Sequence, residues 1–217
     1  MPQIKKPEVE QAILRSAFEL FSRRGYAAAT LPQIAKGAGI SPANIYIYFG
    51  SKLDVLWAIY DPWLRGRIER LQARIAAVAA PRERVRMLLT ALWRDIPRER
   101  NGFANNAMQA VSTSTPEEGY DPALLAWVED RVAAMMRDAV PPARRRLLGD
   151  ARFSHVLMMA FDGFVINHHL RPGAPCSTAT IDLVCDLILG VVPRSTARAA
   201  ARKSASPGRR RLTAARQ

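Results

Sequence analysis

Apolar side chains recur at intervals of three and four residues along most of the chain, the spacing that gathers them on one side of an α-helix. No stretch alternates residue by residue as a half-buried strand would. The first helical stretch runs from Glu8 to Arg24, with Ile13, Leu14, Ala17, Phe18 and Phe21 on one side and Glu10, Arg15, Glu19 and Arg23 elsewhere. Gly25, following the basic pair Arg23 and Arg24, is placed to stop it. A second helix opens at Thr30-Leu31-Pro32-Gln33, where the threonine hydroxyl and the glutamine three residues on can each satisfy the other's backbone N–H. Gly37, Ala38 and Gly39 close it, and Ser41-Pro42 caps a third helix, Pro42 to Phe49.

Gly50 ends the third helix, and Ser51-Lys52-Leu53-Asp54 starts a longer one towards Ala79, which Pro62 is expected to kink or divide. The pattern predicts further helices over 82–94, 104–112, 122–140, 144–171 and 178–192. Polar, turn-rich connections fall at 97–102, 113–121 and 171–178. Three units follow: a head over 1–52, a helical body over 53–192 and a tail over 193–217.

Charge changes this picture at one end. Thirty-two Lys and Arg against nineteen Asp and Glu give a net charge of +13, which favours a polyanionic partner. The tail carries Arg194, Arg198, Arg202, Lys203, Arg209, Arg210, Arg211 and Arg216 with no acidic residue and little apolar surface, so it is expected to be disordered. Cys176 and Cys185 are too few for a disulfide framework, which suits a reducing cytoplasm. The N-terminal residues lead into an amphipathic stretch rather than an apolar signal core, and no apolar run approaches the roughly 20 residues that span a bilayer.

Two short helices joined by a tight glycine turn are a generic hairpin, but the residue detail here is specific. Ala35 permits close helix approach, Gly39 suits a left-handed turn, and Ile34, Ile40 and Ile45 can form a small core that sets the crossing angle. Ile45 and Phe49 lie one turn apart and face inward, leaving Ala43, Asn44, Tyr46, Ile47 and Tyr48 on the outer sides. Such an aromatic, partly apolar outer face fits a helix inserted in the major groove of DNA. Asn44 can pair bidentately with adenine, and Ala43 and Ile47 can meet thymine methyl groups. Tyr48, Lys52 and the backbone N–H groups at the helix starts by Thr30, Ser41 and Ser51 are placed to hold phosphates.

Phe18, Phe21, Gly25, Thr30, Ile34, Ala35, Gly39, Ile40-Ser41, Ile45-Tyr46-Ile47-Tyr48-Phe49 and Ser51-Lys52 closely resemble the DNA-binding head of TetR-type regulators. That resemblance covers about Glu8 to Leu56. It implies an all-α homodimer in which a three-helix DNA-binding head with a helix-turn-helix sits on a larger α-helical body. The body would bind a small-molecule effector and dimerise through its last two helices. Pro42 and Ile47 depart from residues common in relatives, so base preferences do not carry over, whereas Tyr48 and Lys52 match the pattern.

In the body, Phe153, Leu157, Phe161 and Phe164 and then Ile181, Val184 and Ile188 form apolar faces that a two-protomer four-helix interface would absorb, or that a thick monomer core would. The resemblance implies a pocket, and Trp93, Phe103, Met108, Gln109, Trp127, Met135, Met159, Asn167 and His168 are the candidates for lining it, although Met and aromatic residues at helical spacing also make ordinary core. His155, His168, His169, Cys176, Asp150 and Asp162 show no tight ligand pair, so no metal is expected. No nucleophile elbow, zinc-protease helix or phosphate loop points to catalysis or a cofactor. The expected function is a ligand-responsive DNA-binding transcriptional regulator, a repressor on a palindromic operator. The alternative is a non-specific architectural DNA-binding protein that uses its arginine-rich tail.

Overall fold

The computed structural model describes residues 5–115, 121–171 and 175–191. The tail over 193–217 lies outside these residues, as do parts of two predicted loops. Ten α-helices make up the described chain: α1 (Pro7–Ala28), α2 (Leu31–Gly37), α3 (Pro42–Tyr48), α4 (Lys52–Ala76), α5 (Pro81–Thr90), α6 (Phe103–Thr113), α7 (Ala123–Ala139), α8 (Pro142–Leu148), α9 (Ala151–Leu170) and α10 (Thr178–Leu189). Among the described residues there is no strand, so the chain is all-α. No described helix is long and apolar enough to cross a membrane.

Two apolar clusters organise these helices. Ile13, Ala17, Phe21, Ile34, Ala35, Ile45 and Phe49 close on Leu53, Val55 and Leu56, so the core of the head extends past residue 52 into the first turns of α4. The larger cluster gathers Tyr60, Leu64, Ile68, Leu71 and Ile75 of α4 with inward residues of α5 to α10. Burying each such Leu or Ile contributes roughly 1.5–3 kcal/mol relative to exposure, which makes α4 the rod on which both cores are built. Pro62 does not divide it. The helix continues from Lys52 to Ala76 through the proline, because burial on both sides of the lesion outweighs one missing N–H.

Two other features depart from the pattern. The stretch expected as one helix over 144–171 is broken at Gly149 and Asp150 into α8 and α9. Asp150 caps α9 by accepting from Arg152 N at 2.8 Å. Its carboxyl is held down to about 2, first by the Arg152 side chain and then by that backbone bond. The last turn of α5 loosens into a π-helical turn over Ala91–Asp95, closed by Ile96 N on the Ala91 carbonyl at 3.0 Å. It delivers Trp93 inward, where the indole N–H donates to the Leu157 carbonyl of α9 at 3.1 Å.

Candidate nucleic-acid interface

The head is locked by local chemistry. Thr30 and Gln33 exchange both bonds of the capping box, Gln33 N to Thr30 Oγ1 at 3.4 Å and Thr30 N to Gln33 Oε1 at 3.1 Å. Gly39 takes φ +72° after α2, and Ile40 N then donates to the Ala35 carbonyl at 3.0 Å. That left-handed step, nearly free only for glycine, turns the chain into α3. Ser41 Oγ accepts from Asn44 N at 3.3 Å. Ser16 of α1 donates to the Ile34 carbonyl at 2.8 Å and clamps α2 from beneath. Ile34 and Ile45 are fully buried between the helices, while Ile40 is half-buried at the turn.

With Ile45 and Phe49 inside, α3 turns Ala43, Asn44 and Tyr46 to solvent, Tyr46 at 60% exposure, and leaves Ile47 and Tyr48 half-exposed. Within the described residues the Asn44 side-chain amide makes no hydrogen bond; only its backbone N–H is engaged, by Ser41. A rigid helix thus presents an amide with one donor and one acceptor direction beside two small apolar groups and a phenol. This is the inventory that reads base edges in a major groove. Thr30 and Ser41 are exposed at the starts of α2 and α3.

The positions expected to hold phosphate are arranged less simply. Lys52 is turned inward. Its ammonium donates to the Tyr26 carbonyl at 2.9 Å and the Ala29 carbonyl at 3.0 Å and lies 4.1 Å from the centre of the Tyr26 ring. Opposite the carbonyl end of a helix, a cation is stabilising, so Lys52 acts here as a clip on the end of α1 rather than as an outward phosphate anchor. Tyr48 accepts at its hydroxyl from Lys6 N at 3.1 Å, and its carbonyl accepts from Lys5 Nζ at 3.3 Å.

The family signature of bacterial regulatory proteins, tetR family, matches residues 13–59, which are the head and the start of α4. Over 95 residues the chain is 35% identical to the HTH-type transcriptional regulator BetI of Rhizobium meliloti, an alignment that covers 43% of this chain and about half (47%) of that relative. With BetI of Brucella anthropi identity is 28% over 194 residues, covering 87% of this chain and 96% of the relative. Residues 13–59 thus carry the DNA-binding signature of the TetR family. The solved transcriptional regulator FadR from Bacillus subtilis, in complex with stearoyl-CoA, shares the fold at a TM-score of 0.60 and 18% identity, covering 84% of this chain and 98% of its own.

The joint between this head and the body is polar. Gly25, at φ +76° and ψ 163°, breaks the end of α1 and exposes the next backbone N–H groups. Asn106 of α6, 2% exposed, accepts from Tyr26 N at 2.8 Å and donates to the Phe21 carbonyl at 3.2 Å. Gln109, one turn on, accepts from Ala27 N at 3.1 Å. Gln109 was expected to line an effector pocket, but its amide oxygen is engaged in the joint. The signal for this was present in the sequence: two amides three residues apart on a face otherwise made of Phe103, Ala107 and Ala110.

The other expected pocket residues are dispersed. Trp93 is buried and hydrogen-bonded to α9, and Phe103 sits among the rings of Phe18, Trp63 and Tyr60, 5.0 to 6.3 Å centre to centre. Trp127 lies under the guanidinium groups of Arg65 and Arg131. Met108, Asn167 and His168 are half-buried, and Met159 is exposed. Met135 borders a groove of about 400 Å³ between Ile75 and Ala76 of α4, Arg84 of α5 and Arg145 of α8. These nine residues are divided among the buried core, the joint with the head and the half-buried or exposed surface of the body.

The expected dimer face needs a similar correction. Leu157, Phe161, Ile181 and Ile188 are buried in their own protomer. Phe164 packs on Trp93 at 5.4 Å, and Phe153 and Val184 are half-buried against the same core. The stripes left open are their neighbours: Val156, Met159, Ile166 and Leu170 on α9, and Leu183 and Leu187 on α10, all about half or more exposed. Among the described residues no group of three or more His, Cys, Asp or Glu comes together as a metal site, and His155 instead contacts Glu129 at 2.8 Å.

Proposed function

We propose that the protein is a ligand-responsive transcriptional regulator that binds a palindromic operator as a homodimer and acts as a repressor, released by a small-molecule effector. The observation that carries this reading is the outer face of α3, where Ala43, Asn44 and Tyr46 stand exposed on a helix fixed by two caps and a glycine turn. Thr30, Ser41, Ile47 and Tyr48 complete the DNA-facing set, and Lys52 supports it from behind. The open stripes on α9 and α10 are the surface for a second copy, since exposed apolar area of this kind marks an interaction site. The effector site is assigned to the groove beside Met135, where Arg84, Arg137 and Arg145 outnumber Asp138 and favour an anionic ligand. FadR from Bacillus subtilis, which shares the fold, was solved in complex with stearoyl-CoA.

The test is selection of a duplex from a randomised pool by the full-length protein, followed by footprinting. Two protected half-sites centred about 34–36 Å apart, or a small multiple, are expected from a two-fold pair of heads. Recovery of no enriched sequence would reject the reading.

A further inference from the structure

We propose that Lys5 and Lys6, together with Tyr48, form a phosphate-binding site at the carboxyl end of the recognition helix α3, so that the segment leading into α1 is part of the DNA interface. This deepens the proposed function and rests on it. The two lysines lie more than 40 positions from α3 in sequence, yet the fold seats them on it: Lys5 Nζ donates to the Tyr48 carbonyl at 3.3 Å, and Lys6 N donates to the Tyr48 hydroxyl at 3.1 Å.

The chemistry of that contact is directional. A phenol oxygen that accepts an N–H keeps its own proton to donate, so Tyr48 is oriented as a donor towards solvent. The Lys5 ammonium has three protons and gives one to the carbonyl, leaving two. The Lys6 side chain is exposed and makes no hydrogen bond or ion pair within the described residues. It is held by its backbone at the Tyr48 ring and by Pro7, which begins α1 directly after it. The Lys5 ammonium, an aligned hydroxyl and the backbone of Lys6 therefore meet at one end of the helix that reads bases, with the exposed Lys6 side chain starting from that point and no carboxylate among the contacts that Lys5 and Lys6 make there. The need for them follows from Lys52. The cation expected at this end of the head is withdrawn to the Tyr26 and Ala29 carbonyls, and each outward cation on a DNA-binding face adds counterion release to its affinity.

The experiment uses the full-length protein, the duplex it selects from a randomised pool, and the variant K5Q/K6Q, which keeps the first half of each apolar stem and the Lys6 backbone bond while removing both charges. Binding is measured from low to moderate salt. Each lost phosphate contact lowers the slope of log affinity against log salt by about 0.9, so a slope shallower by about 1 to 2 per head is expected, with base preference and melting temperature unchanged and with rescue by K5R/K6R. An unchanged slope and affinity would overturn the proposal while leaving the operator reading intact. Weaker binding with an unchanged slope and a lowered melting temperature would also overturn it, since that is the signature of a structural staple. If the wild-type protein selects no duplex, the operator reading fails and this proposal falls with it.

Discussion

The side-chain oxygen of Asn106 accepts the backbone N–H of Tyr26 at 2.8 Å, joining α6 in the body to the broken end of α1 in the head across 80 positions of sequence. The same side chain also donates to the Phe21 carbonyl at 3.2 Å, so one buried amide serves both a donor and an acceptor of the backbone on either side of Gly25.

Replacing Asn106 with Leu removes the side-chain partner of both backbone groups in a buried setting. A buried backbone group left unsatisfied costs about 1–3 kcal/mol, so Asn106→Leu is expected to lower stability by about 1–3 kcal/mol in chemical denaturation. Gly25→Ala attacks the same joint through the backbone, since φ +76° with ψ 163° is tolerated almost only by glycine and costs about 1–3 kcal/mol otherwise. If both variants melt like the wild type, the joint does not hold the head as described.

Asn44→Ala is expected to leave folding untouched, because the exposed amide makes no internal bond and the cap at Ser41 engages only the backbone. It should relax preference at one base pair by about 1–3 kcal/mol, read by competition between the selected duplex and its single-base variants. Lys52→Ala is expected to do the opposite, losing charged hydrogen bonds to two carbonyls and about 1–3 kcal/mol of stability. Unaltered base preference in Asn44→Ala would remove the residue from the reading face.

Leu183→Asp and Leu187→Asp place charges on the open stripe of α10, and Ile166→Asp does so on α9. Each is expected to weaken self-association by about 2 kcal/mol or more, a loss of roughly thirtyfold, with a cooperative melt retained by the monomer. Sedimentation over a concentration series measures this. Leu157→Asp, which buries its charge in the protomer core, should instead abolish folding. Dimers unaffected by all three surface changes would place the interface elsewhere.

Burial pushes the Cys185 thiol up to about 11 from its ordinary value near 9, and the Cys176 thiol also upward. A raised thiol pKa favours the neutral form in the folded state. The associated stability is therefore full below pH 9 and is lost as pH climbs through about 11. Alkylation by iodoacetamide at pH 8 should be slow for Cys185 in native protein and fast after denaturation. Rapid native labelling of Cys185 would contradict this burial.

The helices of the head and their ends were legible in the sequence because their causes are local. Thr30 with Gln33, Ser41 with Pro42, Ser51 with Asp54, and glycines at 25 and 39 each act within four residues, so spacing alone places them. The outer face of α3 was legible for the same reason, since burying Ile45 and Phe49 leaves only one orientation for Asn44 and Tyr46.

Only the tertiary structure decided how long side chains and doubly apolar helices are used. Lys52 was expected to face DNA, but an ammonium on a four-carbon stem goes wherever carbonyls converge, and the end of α1 brings two of them together. Periodicity shows that α9 is apolar around much of its circumference, yet it cannot say which stripe meets its own core; the fold chose Leu157 and Phe161 and left Val156 and Met159 open. Nor does it locate a pocket, because residues suited to line one equally fill a core, and here Trp93 and Phe103 do so. Contacts between residues near in sequence are fixed by local spacing, whereas those spanning the chain, Asn106 to Tyr26 and Lys6 to Tyr48, exist only once helices have packed.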